Sequence, residues 1–197
     1  MLSLVGHLKI YTSQDEIATI DLPKDKTIVI DMGCGHGDYM LAHCPDDKDV
    51  FWIGVDISRK RTIKTEKRLL REHNSNFILF ADDGQDVLSI LPANSIDIIH
   101  INFPDPWLRD KQWKNRLFRP SFVTDLVRVL KKGGVLSFVT DIKEYADSVA
   151  EILTQFPQWT SIFTPIVQEN IFQSFPTLFY RKMSPLRPIS YIKFHKI

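Results

Sequence analysis

The chain holds 197 residues, 44% of them hydrophobic and 25% charged, with 25 basic and 24 acidic side chains and a formal net charge of +1. Such a balance fits one soluble domain with a sizeable core and excludes a disorder-dominated chain, a collagen-like repeat and a disulfide-stapled scaffold. Cys34 and Cys44 read as reduced thiols, and with His36 and His43 they match no zinc spacing, so all four are expected to be structural and no metal site is expected. Met1 to Tyr11 has no basic n-region, long apolar run or small-residue cleavage site, and no later apolar stretch nears the ~20 residues of a bilayer span. A cytoplasmic protein without membrane contact is expected.

In chain order, Thr27 to Asp31 reads as a buried strand, Gly33 to Gly37 as a turn and His36 to His43 as the start of a helix. A second strand spans Val50 to Val55. Ser58 is placed to cap a helix through about His73, and strands at Phe77 to Phe80 and Ile96 to Ile101 flank a short helix around Gln85 to Ile90. Pro120 to Leu130 reads as a helix with Phe122, Leu126, Val129 and Leu130 on its apolar side, closed by Lys131, Lys132 and Gly133. Val135 to Val139 is a fifth strand, Lys143 to Phe156 a helix, and Trp159 to Ile166 and Ile189 to Phe194 are two further strands. Seven strands alternating with helices predict a single α/β domain over residues 1–197, a mostly parallel sheet covered by helices on both faces. Ligands of such sheets bind beyond the C-terminal strand ends, which directs attention to the turns after Ile30, Val55, Phe80, Ile101 and Val139.

The first of these turns, Asp31-Met-Gly-Cys-Gly-His-Gly37, sets three glycines at alternate positions, letting the backbone turn sharply and approach a ligand closely. Tight strand-to-helix connections select glycine for the same reason, so ligand binding and plain turn geometry both remain open. The G-x-G-x-G spacing differs from the dinucleotide G-x-G-x-x-G. Asp56 ends the second strand where an acid reaches ribose hydroxyls, and Asp82 and Asp83 end the third, where a carboxylate can accept from an adenine amino group or cap the following helix. Register slightly favours Asp83 for the adenine contact. Three acids converging on one crevice suit a neutral adenosyl group with a cationic sulfonium better than a pyrophosphate.

Basic residues cluster in three places. Arg59 to Arg71 reads as a solvated helix face, the ordinary fate of such a run. Arg109, Lys111, Lys114, Arg116 and Arg119 interleave with Trp107, Trp113 and Phe118, a mixture suited to phosphate and base contacts, although the aromatics also fit a core. The chain beyond Glu169 has no acid and carries Arg181, Lys182, Arg187, Lys193 and Lys196.

The fourth turn, Ile101-Asn-Phe-Pro-Asp-Pro-Trp107, places two prolines in a polar, aromatic loop at the sheet's C-terminal edge. Here the sequence resembles the bacterial tRNA (guanine-N7)-methyltransferases, marked by an Asn-Phe-Pro-Asp-Pro-Trp run followed by a basic stretch. The resemblance continues through Arg119-Pro-Ser-Phe122, Leu130-Lys-Lys-Gly-Gly134 and Thr140-Asp141, and covers most of Ile28 to Asp147, with a weaker echo at Thr177 to Lys182. It implies a Rossmann-like class I fold that transfers a methyl group from S-adenosylmethionine to guanine N7 in the variable loop of tRNA, as a monomer or homodimer.

By position the resemblance assigns Asp31, Gly33, Gly35, Gly37, Asp56, Ile57, Asp82, Asp83 and Asn102 to the cofactor and Asp105 to the reaction centre. Arg109, Lys114, Asp141, Thr177 and Tyr180 fall on its substrate side. Guanine N7 offers an in-plane lone pair, so positioning dominates and Asp105 would act electrostatically rather than as a base. Asp141 would accept from guanine N1 or N2, or cap the helix near Lys143. Departures from the family pattern fall mainly on the substrate side: Arg109 replaces a lysine, Gln112 a histidine, Asn115 an arginine and Tyr180 a glutamate, and no basic arm precedes the first strand. A methyltransferase for another RNA or small-molecule acceptor, or a noncatalytic RNA-binding homologue, is the alternative.

Overall fold

Alternation of apolar side chains along the first long strand already requires two covered faces: Ile28 and Ile30 join one buried cluster, Val29 the other. In the computed structural model, which describes residues 10–11, 22–44, 49–106, 117–172 and 175–197, the elements run β1 (Ile10–Tyr11), β2 (Thr27–Met32), α1 (Asp38–His43), β3 (Val50–Val55), α2 (Arg59–Arg71), β4 (Phe77–Phe80), α3 (Gly84–Ile90), β5 (Ile96–Asn102), α4 (Pro120–Val129), β6 (Leu130–Thr140), α5 (Lys143–Thr154), β7 (Trp159–Ser161), β8 (Gln168–Glu169), α6 (Leu178–Met183) and β9 (Ser190–Lys196). The strands form one sheet in the order β1-β4-β3-β2-β5-β6-β9-β7, with β8 beside β9. Pairs from β1 to β6 are parallel, and β9 is antiparallel to β6, β7 and β8.

Met40 of α1 and Leu69 of α2 pack with Val29, Trp52, Phe77 and Leu79 on one face. Val87, Phe122, Leu126, Tyr145 and Val149 of α3, α4 and α5 pack with Ile30, Ile53, Ile99 and Phe138 on the other. The chain runs outward from β2 through β3 to β4, then returns to lay β5 on the opposite side of β2. That reversal opens a crevice beyond the C-terminal ends of β2 and β5, the usual ligand position in open α/β sheets.

Among the described residues the sheet has nine strands rather than the expected seven. The two added ones, β1 and β8, are two residues long, too short to show a period. The strand expected over Trp159 to Ile166 stops at Ser161. The helix expected to reach Leu130 ends at Val129, because buried Leu130 is extended and pairs with Ile96; pairing resumes at Val135, and the Lys-Lys-Gly-Gly run forms an irregularity in β6 instead of a helix stop. Ser58 stands at the N-cap of α2, yet its side chain makes no capping bond. Among the described residues, no helix is long and apolar enough to cross a membrane.

Candidate functional site: a crevice beyond β2 and β5

The glycine-rich turn forms one wall. Gly33 takes φ +80°, and the amides of Gly33 and Cys34 both donate to Val55 O, at 2.7 and 2.9 Å, folding the turn over the end of β3. A Cβ on Gly33 would meet nothing within 4 Å, whereas one on Gly37 (φ +76°) would stand 2.5 Å from Thr65 Cγ2. Gly33 and Gly35 line the crevice; Gly37 instead lets α1 close against α2.

Asp56 at the end of β3 is buried and already well bonded. Its Oδ2 accepts from Gly35 N at 3.0 Å, and Oδ1 accepts from Ser58 N at 2.8 Å and from Arg61 Nε at 2.9 Å. The same carboxylate thus fixes the glycine turn and the start of α2. Asp31 is fully buried at the end of β2, with Asn102 Nδ2 3.5 Å from its Oδ1. Burial, with smaller contributions from the charges of Asp56 and Asp38, pushes its carboxyl up to about 7 against the lowering effect of Asn102. Asp31 Oδ2 and Asn102 Oδ1 are buried without a hydrogen-bond partner among the described residues, and both residues line the crevice.

The crevice has two compartments. One, about 410 Å³, is lined by Asp31, Asn102, Asp38, Tyr39, Phe103 and α6 residues; the other, about 420 Å³, by Ile57, Asp82, Asp83, Leu117 and Arg119 among others. Gly33, Asp56, Arg61, Pro104 and Asp105 line both, so exposed Asp105 stands on the shared wall. Of the two acids after β4, Asp83 caps α3 by accepting from Gln85 N at 2.8 Å, and Asp82 Oδ1 accepts from Asp83 N at 2.8 Å. Phe103 carries φ +51°, an uncommon value for an aromatic residue. Its ring packs on Phe175, Phe179 and Tyr180, which joins the fourth turn to the C-terminal part of the chain.

That C-terminal part is an excursion pinched at its base: Asn170 N donates to Ile189 O at 2.9 Å and Ile189 N donates to Asn170 Oδ1 at 3.0 Å. Thr177 Oγ1 caps α6 by accepting from Tyr180 N at 3.1 Å, and Thr177, Leu178, Phe179 and Lys182 line the first compartment. Asp38 ties this excursion to α2: Oδ1 accepts from Arg68 Nη1 at 2.8 Å, and Oδ2 accepts from Leu178 N at 3.1 Å. Arg68 also donates to His36 O. Partial burial raises the Asp38 carboxyl, but the bonds from Arg68 and Leu178 and the charges of Arg68 and Arg181 outweigh it and hold the group below its ordinary range. Tyr39 stacks on Phe175 at 5.3 Å and approaches His100 Nδ1 at 3.4 Å. Burial and the nearby charges of His43 and Lys193 depress His100 to about 4, so this ring is neutral at pH 7.

Of the expected substrate-side residues that the structure describes, Asp141, Thr177 and Tyr180, only Thr177 lines the crevice. Tyr180 is buried and donates through its hydroxyl to Phe172 O at 3.0 Å. Asp141 does not cap α5, whose N-cap position is Ile142; its Oδ2 lies 3.2 Å from Arg187 Nε. Phe118 is core, packed on Phe122 and Phe138. Arg109 and Lys114, like Trp107 and Trp113, lie outside the described residues. Asp38, Tyr39 and Arg61 were not singled out from the sequence, since each looks like an ordinary helix-surface residue until α1, α2 and α6 are placed.

A family model described as "Putative methyltransferase" matches residues 25–178. A "Bifunctional methyltransferase" of Rickettsia bellii is 31% identical over 149 residues, which are 76% of this chain and 26% of that protein. A "tRNA (guanine-N(7)-)-methyltransferase" of Caulobacter sp. is 33% identical over 130 residues, 66% of this chain and 58% of that protein. The chain therefore spans between about a quarter and three fifths of these relatives. Among solved structures, an rRNA methylase from Streptococcus thermophilus superposes with a TM-score of 0.60 at 18% identity, over 88% of each chain. Geranyl diphosphate C-methyltransferase from Streptomyces coelicolor, in complex with S-adenosyl-L-homocysteine, does so at 0.60 and 9%, over 94% of this chain and 75% of that one. These two likenesses show the class I methyltransferase fold. The match over residues 25–178 places the chain within a family of methyltransferases, and it is to this family that the protein belongs.

Proposed function

We propose that the protein is a cytoplasmic enzyme that transfers a methyl group from S-adenosylmethionine to N7 of a guanosine in the variable loop of tRNA, with residues 1–197 forming one methyltransferase domain. The observation that carries the reading is a pair of buried oxygens without a hydrogen-bond partner among the described residues, Asp31 Oδ2 and Asn102 Oδ1, on two residues that line a two-compartment crevice. An unpaired buried carboxylate and amide oxygen are acceptors awaiting donors, and an ammonium or other cationic ligand satisfies both hydrogen bonding and charge. The residues fit the adenosyl cofactor. In this reading Asp56 takes the ribose hydroxyls, Ile57, Asp82 and Asp83 the adenine side, and Asp31, Gly33, Gly35 and Asn102 the aminoacyl side, a division supported by the compartments these residues line. The sulfonium of that cofactor supplies the electrophilic methyl group.

The acceptor enters beside Asp105, on the wall common to both compartments. Guanine N7 brings its own lone pair and no proton, so Asp105 orients the purine and stabilises its developing positive charge, while Phe103 and α6 fix its plane. The name of the Caulobacter relative supports this acceptor. A second reading, another acceptor for the same chemistry, is favoured by Tyr180, which is buried, and by Asp141, which is paired with Arg187 rather than aimed into the crevice. Incubation with labelled S-adenosylmethionine and unmodified tRNA transcripts, followed by nucleoside analysis, separates them: 7-methylguanosine is expected, and it disappears when the variable-loop guanine is changed to adenine. Label in any other nucleoside rejects the N7 assignment.

A further inference from the structure

The sequence alone reads Arg59 to Arg71 as a solvated face, but the fold puts that face somewhere specific. Helix α2 carries seven cations against one anion, Glu66, a local +6 in a chain whose total is +1. Lys60, Lys64, Lys67 and Arg71 recur at i, i+4, i+7 and i+11, a single exposed row about 16 Å long at 1.5 Å per residue. Like charges in such a row repel and weaken the helix. Among the described residues, Lys60, Lys64 and Lys67 form no ion pair, while Arg71 meets only the exposed Glu72, at 3.5 Å.

The row borders the site. Arg61 and Arg68, which reach Asp56 and Asp38, sit three and four residues from Lys64 on the same flank of the helix; the apolar Ile63 and Leu70 project from the other flank. Asp38 bonds both Arg68 and the first amide of α6, so the exposed Arg181 and Lys182 of α6 lie across that carboxylate from the α2 row. Phe179, 43% exposed, stands at the junction and lines the crevice. Cations flanking an exposed aromatic ring form the combination that tracks a nucleic-acid backbone and stacks a base.

We propose that the Lys60–Lys64–Lys67–Arg71 row of α2 is a phosphate-binding surface for the acceptor RNA, carrying its backbone away from the crevice mouth; this rests on the reading of an RNA acceptor above. Its uncompensated charge is retained because the ligand supplies the counter-charge.

The test is binding of an unmodified tRNA transcript by the full chain at several salt concentrations, comparing the unsubstituted protein with a Lys60→Gln, Lys64→Gln, Lys67→Gln variant. Glutamine keeps the helix propensity and removes the repulsion, so the variant is expected to melt no lower. Three lost phosphate contacts should lower the slope of log affinity against log salt by about 2 to 3 and weaken binding at least tenfold at low salt, with S-adenosylmethionine affinity unchanged. An unchanged slope and affinity overturn the proposal, as does failure of the unsubstituted protein to bind the transcript. So does binding of vesicles rich in anionic phospholipid that the triple variant loses while its RNA binding stays intact, which would make the row a membrane surface. The N7 reading fails differently: RNA binding and its salt slope remain, but digestion yields no 7-methylguanosine.

Discussion

Arg61 Nε lies 2.9 Å from Asp56 Oδ1, the same oxygen that accepts the Ser58 amide, so three of the four lone-pair positions of the Asp56 carboxylate are filled within the chain. A ribose diol donates two hydrogen bonds, and only one position is free for them while Arg61 remains. The guanidinium is 46% exposed, so the pair is worth no more than about 1 kcal/mol and can open cheaply. Arg61→Ala is therefore expected to tighten S-adenosylmethionine binding by up to about fivefold in a calorimetric titration. Weaker binding would mean that Arg61 contacts the cofactor directly.

Asp31 predicts a pH signature. Its carboxyl rises from the ordinary 3.8 to about 7, chiefly through burial, so between about pH 4 and 7 the unfolded chain releases a proton that the folded chain keeps. Stability contributed by this group falls across that window, and the full penalty is present above pH 7, at most about 4 kcal/mol. Asp31→Asn should melt above the unsubstituted protein at pH 8 and level with it near pH 4. A gap of equal size at both pH values would show that ionisation is not its source.

Asp38 should separate cofactor from acceptor. Removing its carboxylate frees Arg68 and exposes the first amide of α6, while the bonds of Asp56 and Asp31 are untouched. Asp38→Ala is expected to raise KM for the RNA acceptor about tenfold or more with less than a threefold change in cofactor affinity. Equal losses on both sides would place Asp38 among the cofactor contacts. Because its folded pKa is lowered, the stability it contributes is present above the ordinary carboxylate range and is lost as pH falls through the folded value.

Two glycines of one turn should fail in different ways. Alanine at Gly37 meets Thr65 Cγ2 at 2.5 Å and keeps φ +76°, so Gly37→Ala should cost about 2 kcal/mol or more, read as a fall in Tm. Alanine at Gly33 meets only open space at φ +80°, so Gly33→Ala should cost about 1 kcal/mol and act mainly by placing a methyl group in the crevice, weakening cofactor binding. Identical stability losses for the two would contradict this division.

The parallel half of the sheet was legible because its strands are short segments dominated by isoleucine, valine and phenylalanine with a glycine, serine or proline signal close by, as at Ile28 to Asp31 and Ile96 to Ile101. The crevice-lining acids Asp31, Asp56, Asp82 and Asp83 were legible for the same reason: they stand at the ends of such segments. The surroundings of Asp38, Tyr180 and Asp141 were not, because they depend on contacts distant in sequence. Nothing near Asp38 announces that Leu178, 140 positions on, will use its carboxylate, and nothing near Tyr180 shows that its hydroxyl will be spent on Phe172 O. Asp141 shows the same limit: a helix cap is a local inference, and Arg187 competes from a segment that local patterns cannot position. Two-residue strands such as β1 and β8 exist only because a partner is there to pair with.

The neck at Asn170 and Ile189 has a modular consequence. Two hydrogen bonds close the excursion on itself just before β9 enters the sheet, so its exposed residues, such as Leu186 and Arg187, can be exchanged without moving a strand, while Phe172, Phe175 and Tyr180 hold it against Tyr191 of β9. A scaffold built this way divides its crevice into two kinds of wall: one embedded at the ends of β2, β3 and β5, the other carried by an excursion that is anchored separately.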